Sequence, residues 1–234
     1  MEVVLPPPAE KARAVRAMFD RIAPRYDRMN RILTARLDGG WRRAALAAAA
    51  LAPGDVAIDV ACGTGDLAEL ARRAGARVIG VDFAPAMLAI ARRRQAASWL
   101  VRADAAALPL AAGAADAVTC GFSLRNFVAI EPFLAEAARV LAPGGRLVVL
   151  EVAIPRHPVK RFVHRLYFDR VVPLVGGLLS DRAAYAYLPR SVVYLPDTPR
   201  LVAMVERAGF AGTRVGLLGG GAIQLLSALR EPAR

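Results

Sequence analysis

Two cysteines in 234 residues, Cys62 and Cys120, are too few for a disulfide framework and lack metal-ligand spacing; this points to a reducing cytosolic setting and away from zinc. The two histidines, His157 and His164, fall on no recognised motif and read as surface or packing residues. Aromatics make up 6% of the chain against 56% hydrophobic residues, so the mean hydropathy of +0.37 comes from Ala, Val and Leu. Long apolar runs are also missing. The longest cover residues 44–52 and 171–179, well short of the roughly 20 residues that span a bilayer. The proline-rich start has no cationic region followed by an apolar stretch, so residues 1–10 read as a flexible tail rather than a signal peptide. Acidic residues are outnumbered, 20 against 32 basic, and the net charge of +12 with a pI near 11.0 favours an anionic partner, nucleic acid or an anionic lipid surface. Arginines spread along the chain, the run Arg92-Arg93-Arg94 included, read as a solvated basic surface.

What is present is a regular alternation. Residues 11–52 read as N-terminal helices, with Val15, Met18, Phe19 and Ile22 at helical spacing. Short apolar strands follow over residues 56–61, 78–81, 99–101, 117–120 and 146–151, separated by helices over 67–74, 85–94 and 131–141. The alternation breaks over residues 154–195, a helical cover rich in arginine, aromatics and proline. It returns with a helix over 199–208 and two apolar segments, 213–218 and 222–229, suited to an antiparallel pair at a sheet edge. The expected fold is one α/β domain over residues 11–234, a doubly wound, mostly parallel seven-stranded sheet.

The loop Asp59-Val60-Ala61-Cys62-Gly63-Thr64-Gly65-Asp66 joins the first strand to a helix, where glycines admit a ligand close to the backbone. Asp82 ends the second strand, where a carboxylate can accept both ribose hydroxyls of a nucleoside, and Asp104 and Ala105 after the third can hold an adenine amino group. The spelling Gly63-x-Gly65-x-x-Ala68 also satisfies a dinucleotide-binding motif. Three features oppose that reading: acidic Asp59 within the first strand, helices before it, and the Pro143-Gly144-Gly145-Arg146 turn. Asp59 and Asp66 would repel a diphosphate but offset the cationic sulfonium and ammonium of S-adenosylmethionine, the expected methyl donor.

Further stretches extend beyond this loop: residues 18–30 (MFDRIAPRYDRMN), Phe122-Ser123-Leu124-Arg125-Asn126, Pro143-Gly144-Gly145-Arg146-Leu147 with Glu151, residues 185–192 (YAYLPRSV) and Ala208-Gly209-Phe210. Through them nearly the whole chain resembles the ubiquinone/menaquinone biosynthesis C-methyltransferase family. The resemblance implies the fold of class I S-adenosylmethionine-dependent methyltransferases. It also implies methyl transfer to a ring carbon of a prenylated quinol, usually demethylmenaquinol giving menaquinol, with a benzoquinol as the alternative acceptor. A nucleic-acid base methyltransferase is disfavoured, because Cys120-Gly121-Phe122-Ser123 stands where such enzymes carry an Asn/Asp-Pro-Pro-aromatic tetrad. A scaffold that had kept donor binding would preserve the same loop.

Hydroquinone carbon becomes nucleophilic when the neighbouring hydroxyl loses its proton, so the site needs a base or a phenolate stabiliser. The expected catalytic residues are Arg125, acting electrostatically, Asn126 bonded to a ring oxygen, and Tyr26 with Asp27 closing over the donor. Expected donor contacts are Asp59, Gly63, Thr64, Gly65, Asp82, Asp104, Ala105 and Gly121, with no metal. Tyr167, Phe168, Tyr185 and Tyr187 are divided between core packing and a quinone ring slot. The chain departs from the family at Gly121, where many members carry Ser, at Leu226 for a His, at Arg190 for an acidic residue, and in the shortened stretch Asp38-Gly39-Gly40-Trp41-Arg42-Arg43. No nucleic-acid partner is expected; a homodimer is left open. The expected location is cytoplasmic, with peripheral contact at the inner face of the membrane.

Overall fold

A computed structural model describes residues 7–232. The chain enters as α1 (Pro8–Leu33), with proline at the first helical position where its missing N–H costs nothing. Of the tail expected over residues 1–10, residues 1–6 lie outside the described residues, and residues 8–10 belong to α1. After α2 (Asp38–Ala49) come β1 (Val56–Val60), α3 (Asp66–Arg73), β2 (Arg77–Asp82), α4 (Pro85–Arg93), β3 (Trp99–Arg102), β4 (Ala115–Gly121), α5 (Glu131–Val140) and β5 (Leu141–Val152). The cover consists of α6 (Pro158–Leu166), a π-helical turn at Tyr167–Val171, α7 (Val172–Leu179) and α8 (Arg182–Ser191). It is followed by α9 (Thr198–Arg207), β6 (Phe210–Leu218) and β7 (Ile223–Arg230).

The seven strands form one sheet in the order β3-β2-β1-β4-β5-β7-β6. Five are parallel and β7 runs antiparallel to both neighbours, as expected for the edge pair. The central strands are buried on both faces, with Ile58, Val60, Val118, Cys120 and Leu147 excluded from solvent, so they read as continuous apolar runs rather than alternating ones. β5 begins five residues earlier than its expected start at Arg146. The Pro143-Gly144-Gly145 turn is absorbed as an irregularity, Ala115 pairing with Leu141 and Ala117 with Arg146.

A second core joins α1 to α4, α7 and α8 through Met18, Ile22, Met29, Met87, Val172 and Tyr185. Three polar contacts fasten α1 across the carboxyl edge of the sheet. Buried Lys11 donates to the Phe127 carbonyl at 2.5 Å and lies 3.6 Å over the Tyr194 ring. Its pKa is pulled down to about 8 by burial. Asp20 accepts the Ala86 N–H at 3.0 Å, capping α4, whose own N-cap residue is an alanine. Asp27 reaches the nucleotide loop.

The strand order reverses between β1 and β4, and this switch point sets the ligand crevice of a doubly wound sheet. Both strands end there in left-handed turns at non-glycine residues, Ala61 (φ 54°) and Phe122 (φ 59°). These positions divert the chain and leave the carboxyl ends of β1 and β4 open.

Candidate active site

A cavity of about 320 Å³ lies over these strand ends. The loop residues Gly63 and Thr64, the β2 end at Asp82, the segment Ala103–Ala106 and the β4 exit at Gly121 and Phe122 line it on the nucleotide side. Phe19 and Tyr26 from α1, with Asn126, Phe127 and Phe133, line the other side. Of the twelve expected site residues, eight face this space: Gly63, Thr64, Asp82, Asp104, Ala105, Gly121, Tyr26 and Asn126.

Asp82 accepts the N–H of Gly63 at 2.8 Å with one oxygen and that of Ala84 at 2.8 Å with the other. Burial raises its pKa to about 6 against the help of those backbone donors. Three backbone N–H groups, of Gly63, Phe83 and Ala84, draw on the four lone pairs of the carboxylate, which leaves acceptor capacity for a ribose hydroxyl. Gly63 has open space around a would-be Cβ, so the loop can approach a ligand there. Gly121 likewise has room for a Cβ, so the serine of other members is not sterically excluded.

Four expected site residues do not face the cavity, each for a visible reason. Asp59 is 2% exposed; its oxygens take the Thr119 hydroxyl at 2.7 Å and the Ala68 N–H at 3.1 Å. It ties β1 to β4 and to the start of α3, and burial pushes its pKa up to about 7. Gly65 (φ +89°) is demanded by packing, since a Cβ would stand 2.3 Å from that of Ala96. Asp27 accepts the Thr64 hydroxyl at 2.5 Å and pairs with Arg94 at 3.0 Å, so it fastens α1 to the loop. Arg125 is buried in an ion pair with fully buried Glu151, whose carboxylate also takes the Val152 N–H at 2.9 Å. Through Nη1 its guanidinium holds β5 to the turn after β4, and its charge also acts on the Tyr26 and Tyr187 phenols.

Several residues that matter here carried no signal of their own. Arg94, taken for solvated surface, joins Asp27, Asp66 (2.7 Å) and Glu69 (2.6 Å). Arg42, on α2, lines the cavity, pairs loosely with Asp38 and Asp66 at 3.5 and 3.4 Å, and buries an Nε with no hydrogen-bond partner. Arg94 is marked only by proximity in space, its partners lying 25 to 67 residues away, whereas Arg42 stands in the shortened stretch at residues 38–43, four residues after Asp38. Tyr167, Phe168, Tyr185 and Tyr187 are packing residues outside the cavity, although the Tyr187 hydroxyl reaches Asn126 Oδ1 at 3.4 Å. His164 stacks on Phe168 at 4.4 Å, away from the site. Cys62 lines the cavity as a protonated thiol, its pKa held well up by burial.

Residues 8–230 match the family model of the ubiE/COQ5 methyltransferase family. The chain belongs to this family. It is 50% identical over 201 residues to a demethylmenaquinone methyltransferase of Thermus thermophilus, covering 83% of this chain and 91% of the relative. It is 42% identical to the ubiquinone/menaquinone biosynthesis C-methyltransferase UbiE of Syntrophotalea carbinolica, covering 92% and 94%. Among solved structures, a Thermotoga maritima S-adenosylmethionine-dependent methyltransferase, titled a possible histamine N-methyltransferase, superposes with a TM-score of 0.68 at 20% identity, covering 93% of this chain and all of that one. The ubiE/COQ5 protein is thus a class I S-adenosylmethionine-dependent methyltransferase, and the residues present fit that donor: Asp82 has spare acceptor capacity, and the cavity wall holds an unsatisfied cationic group in Arg42.

Two outcomes test these assignments. The native state keeps the Asp59 proton up to about pH 7, whereas the unfolded chain releases it near pH ~4, so its contribution to stability falls as pH rises between these values. Asp59→Asn should remove that part of the slope in urea unfolding followed from about pH 5 to about pH 8; parallel curves for the two proteins would contradict the role given to Asp59. Arg125→Ala should lower unfolding stability by about 3–5 kcal/mol by stranding Glu151, and the Arg125→Met/Glu151→Met double variant should recover most of it. An Arg125→Ala protein as stable as the parent would remove the structural assignment.

Proposed function

We propose that the protein methylates a ring carbon of a prenylated quinol, demethylmenaquinol in the first place, yielding menaquinol and S-adenosylhomocysteine. The reading is supported by a cavity with a polar nucleotide side and an aromatic side built from α1 and the turn after β4, and by the demethylmenaquinone methyltransferase relatives. S-adenosylmethionine supplies an electrophilic methyl group when bound. Asp82 would take a ribose hydroxyl, and Asp104 and Ala105 would hold the base. The aromatic side, Phe19, Phe127 and Phe133, takes the acceptor ring and excludes water. Asn126 holds a ring oxygen by hydrogen bonding, which favours the oxygen that loses its proton. Burial raises the Tyr26 pKa, so its phenol stays protonated and acts as a hydrogen-bond donor rather than as a base. The ring carbon would gain a bond to the methyl carbon as the sulfur–methyl bond breaks, leaving neutral S-adenosylhomocysteine, and the ring proton would pass to a water and so to solvent, which restores aromaticity.

A lipid-tailed acceptor calls for membrane contact, and α6 supports it. Among the described residues no helix is long and apolar enough to cross a membrane. On α6, Val159, Phe162, Val163 and Leu166 recur at i, i+3, i+4 and i+7, one helical face, and are 51–69% exposed; the helix buries no residue. Lys160, Arg161 and Arg165 stand on the same helix. An amphipathic cationic helix with its apolar face uncovered suits an anionic bilayer surface.

With S-adenosylmethionine as donor, the reduced naphthoquinol should turn over at least about tenfold faster, as kcat/KM, than a benzoquinol with the same tail; the reverse preference would reassign the acceptor. Flotation with phosphatidylglycerol vesicles should recover the protein, and Phe162→Glu should weaken recovery about tenfold while leaving turnover of a short-chain quinol intact. Recovery indifferent to that change would refute docking through α6.

A further inference from the structure

Arg42 combines features that the description of the site so far leaves unexplained. Its side chain is 11% exposed and lies against the cavity. Nε is buried with no hydrogen-bond partner. The carboxylates beside it, Asp38 and Asp66, stand at 3.5 and 3.4 Å, outside good charge-assisted hydrogen-bond distance, and each is engaged elsewhere. Asp38 takes the Thr34 hydroxyl at 2.9 Å, and Asp66 takes Arg94 at 2.7 Å. Nη1 points at the β4 exit, 3.8 Å from where a Cβ on Gly121 would sit. The guanidinium lies 5.5 Å from the Phe122 ring, which also meets Trp41 edge-on at 6.3 Å. A buried guanidinium whose donors are left this incomplete costs free energy unless an anion completes them.

We infer that Arg42 binds the α-carboxylate of the donor's methionyl part, as a planar fork presented beside the carboxyl end of β4. The methionyl part brings both a carboxylate and an ammonium, and Arg42 with Asp66 supplies one charge of each sign at one wall of the cavity. The guanidinium matches a carboxylate through two parallel N–H donors, a geometry that lysine cannot reproduce. The assignment depends on donor binding alone and holds whichever ring accepts the methyl group.

Calorimetric titration with two donor fragments tests it. S-adenosylhomocysteine carries the amino-acid part; 5′-methylthioadenosine has the same nucleoside and sulfur without it. Arg42→Met should weaken S-adenosylhomocysteine about 10- to 100-fold and change methylthioadenosine less than about threefold, with Arg42→Lys in between for the first ligand. Equal losses for both ligands would mean that Arg42 acts only on the fold and would overturn the inference. Unchanged S-adenosylhomocysteine affinity with a raised KM for the quinol would give Arg42 to the acceptor's phenolate and overturn it equally. A parent protein that bound neither fragment would instead remove the donor assignment itself.

Discussion

The hydrogen bond from the Thr64 hydroxyl to Asp27 joins two parts of the chain 37 residues apart, the nucleotide loop and the first helix. Gly63 and Gly65 let the loop turn tightly at φ values of +57° and +89°, but a glycine loop by itself has no wall opposite it. Asp27 supplies that wall by anchoring α1, and Arg94 locks the carboxylate in turn while also engaging Asp66 and Glu69 of α3. These groups are about a fifth to a quarter exposed, so the network's worth lies more in fixing geometry than in stability. The clasp adds to the packing of Met18, Ile22 and Met29 that holds Phe19 and Tyr26 over the loop. The motif over residues 18–30 is therefore one device: Met18, Ile22 and Met29 bury a face, Asp20 caps α4, Tyr26 enters the cavity and Asp27 holds the loop.

The sheet was legible in the sequence because its information is local. Two-sided burial makes β1, β2 and β4 short apolar runs, and Pro85 and the glycine turns mark where helices start and strands break. That Gly63, Thr64, Asp82, Asp104 and Ala105 line the cavity follows from their places at strand ends. Asp59 and Arg125 illustrate what was not legible. Both are charged residues at strand ends, where ligand contacts are expected, and nothing in their immediate neighbours reveals that Thr119, 60 residues on, and Glu151, 26 residues on, face them across the sheet. A buried charge is satisfied by whatever the fold brings to it, and pairing across strands has no one-dimensional signature.

The same argument redistributes the net charge of +12. Arg42, Arg94 and Arg125 occupy ion pairs inside or beside the site, and Arg139 joins Glu136 and the carbonyls of Leu108 and Leu110, pinning α5 to the segment before β4. Positive charge along the chain is thus partly structural, and its sum says little about a partner. The cover is different: its basic residues on α6 are exposed and sit beside exposed apolar ones, so charge and hydrophobicity coincide on a helix that buries no residue.

Phe122 brings these lines together. A phenylalanine at φ 59° is disfavoured by about 1–2 kcal/mol relative to ordinary backbone, and glycine would relieve it. Glycine would also remove the ring that contacts Trp41 edge-on at 6.3 Å and lies under the Arg42 guanidinium. The strained turn directs the chain away from the cavity mouth, and its N–H still finds the Leu150 carbonyl at 2.6 Å, so the β4–β5 ladder is not interrupted. Strain at this position is tolerated because the sheet holds the backbone on one side and α2 holds the side chain on the other. The residue thus serves both neighbours at once, its backbone keeping the ladder to β5 and its ring packing against Trp41 and Arg42 of α2.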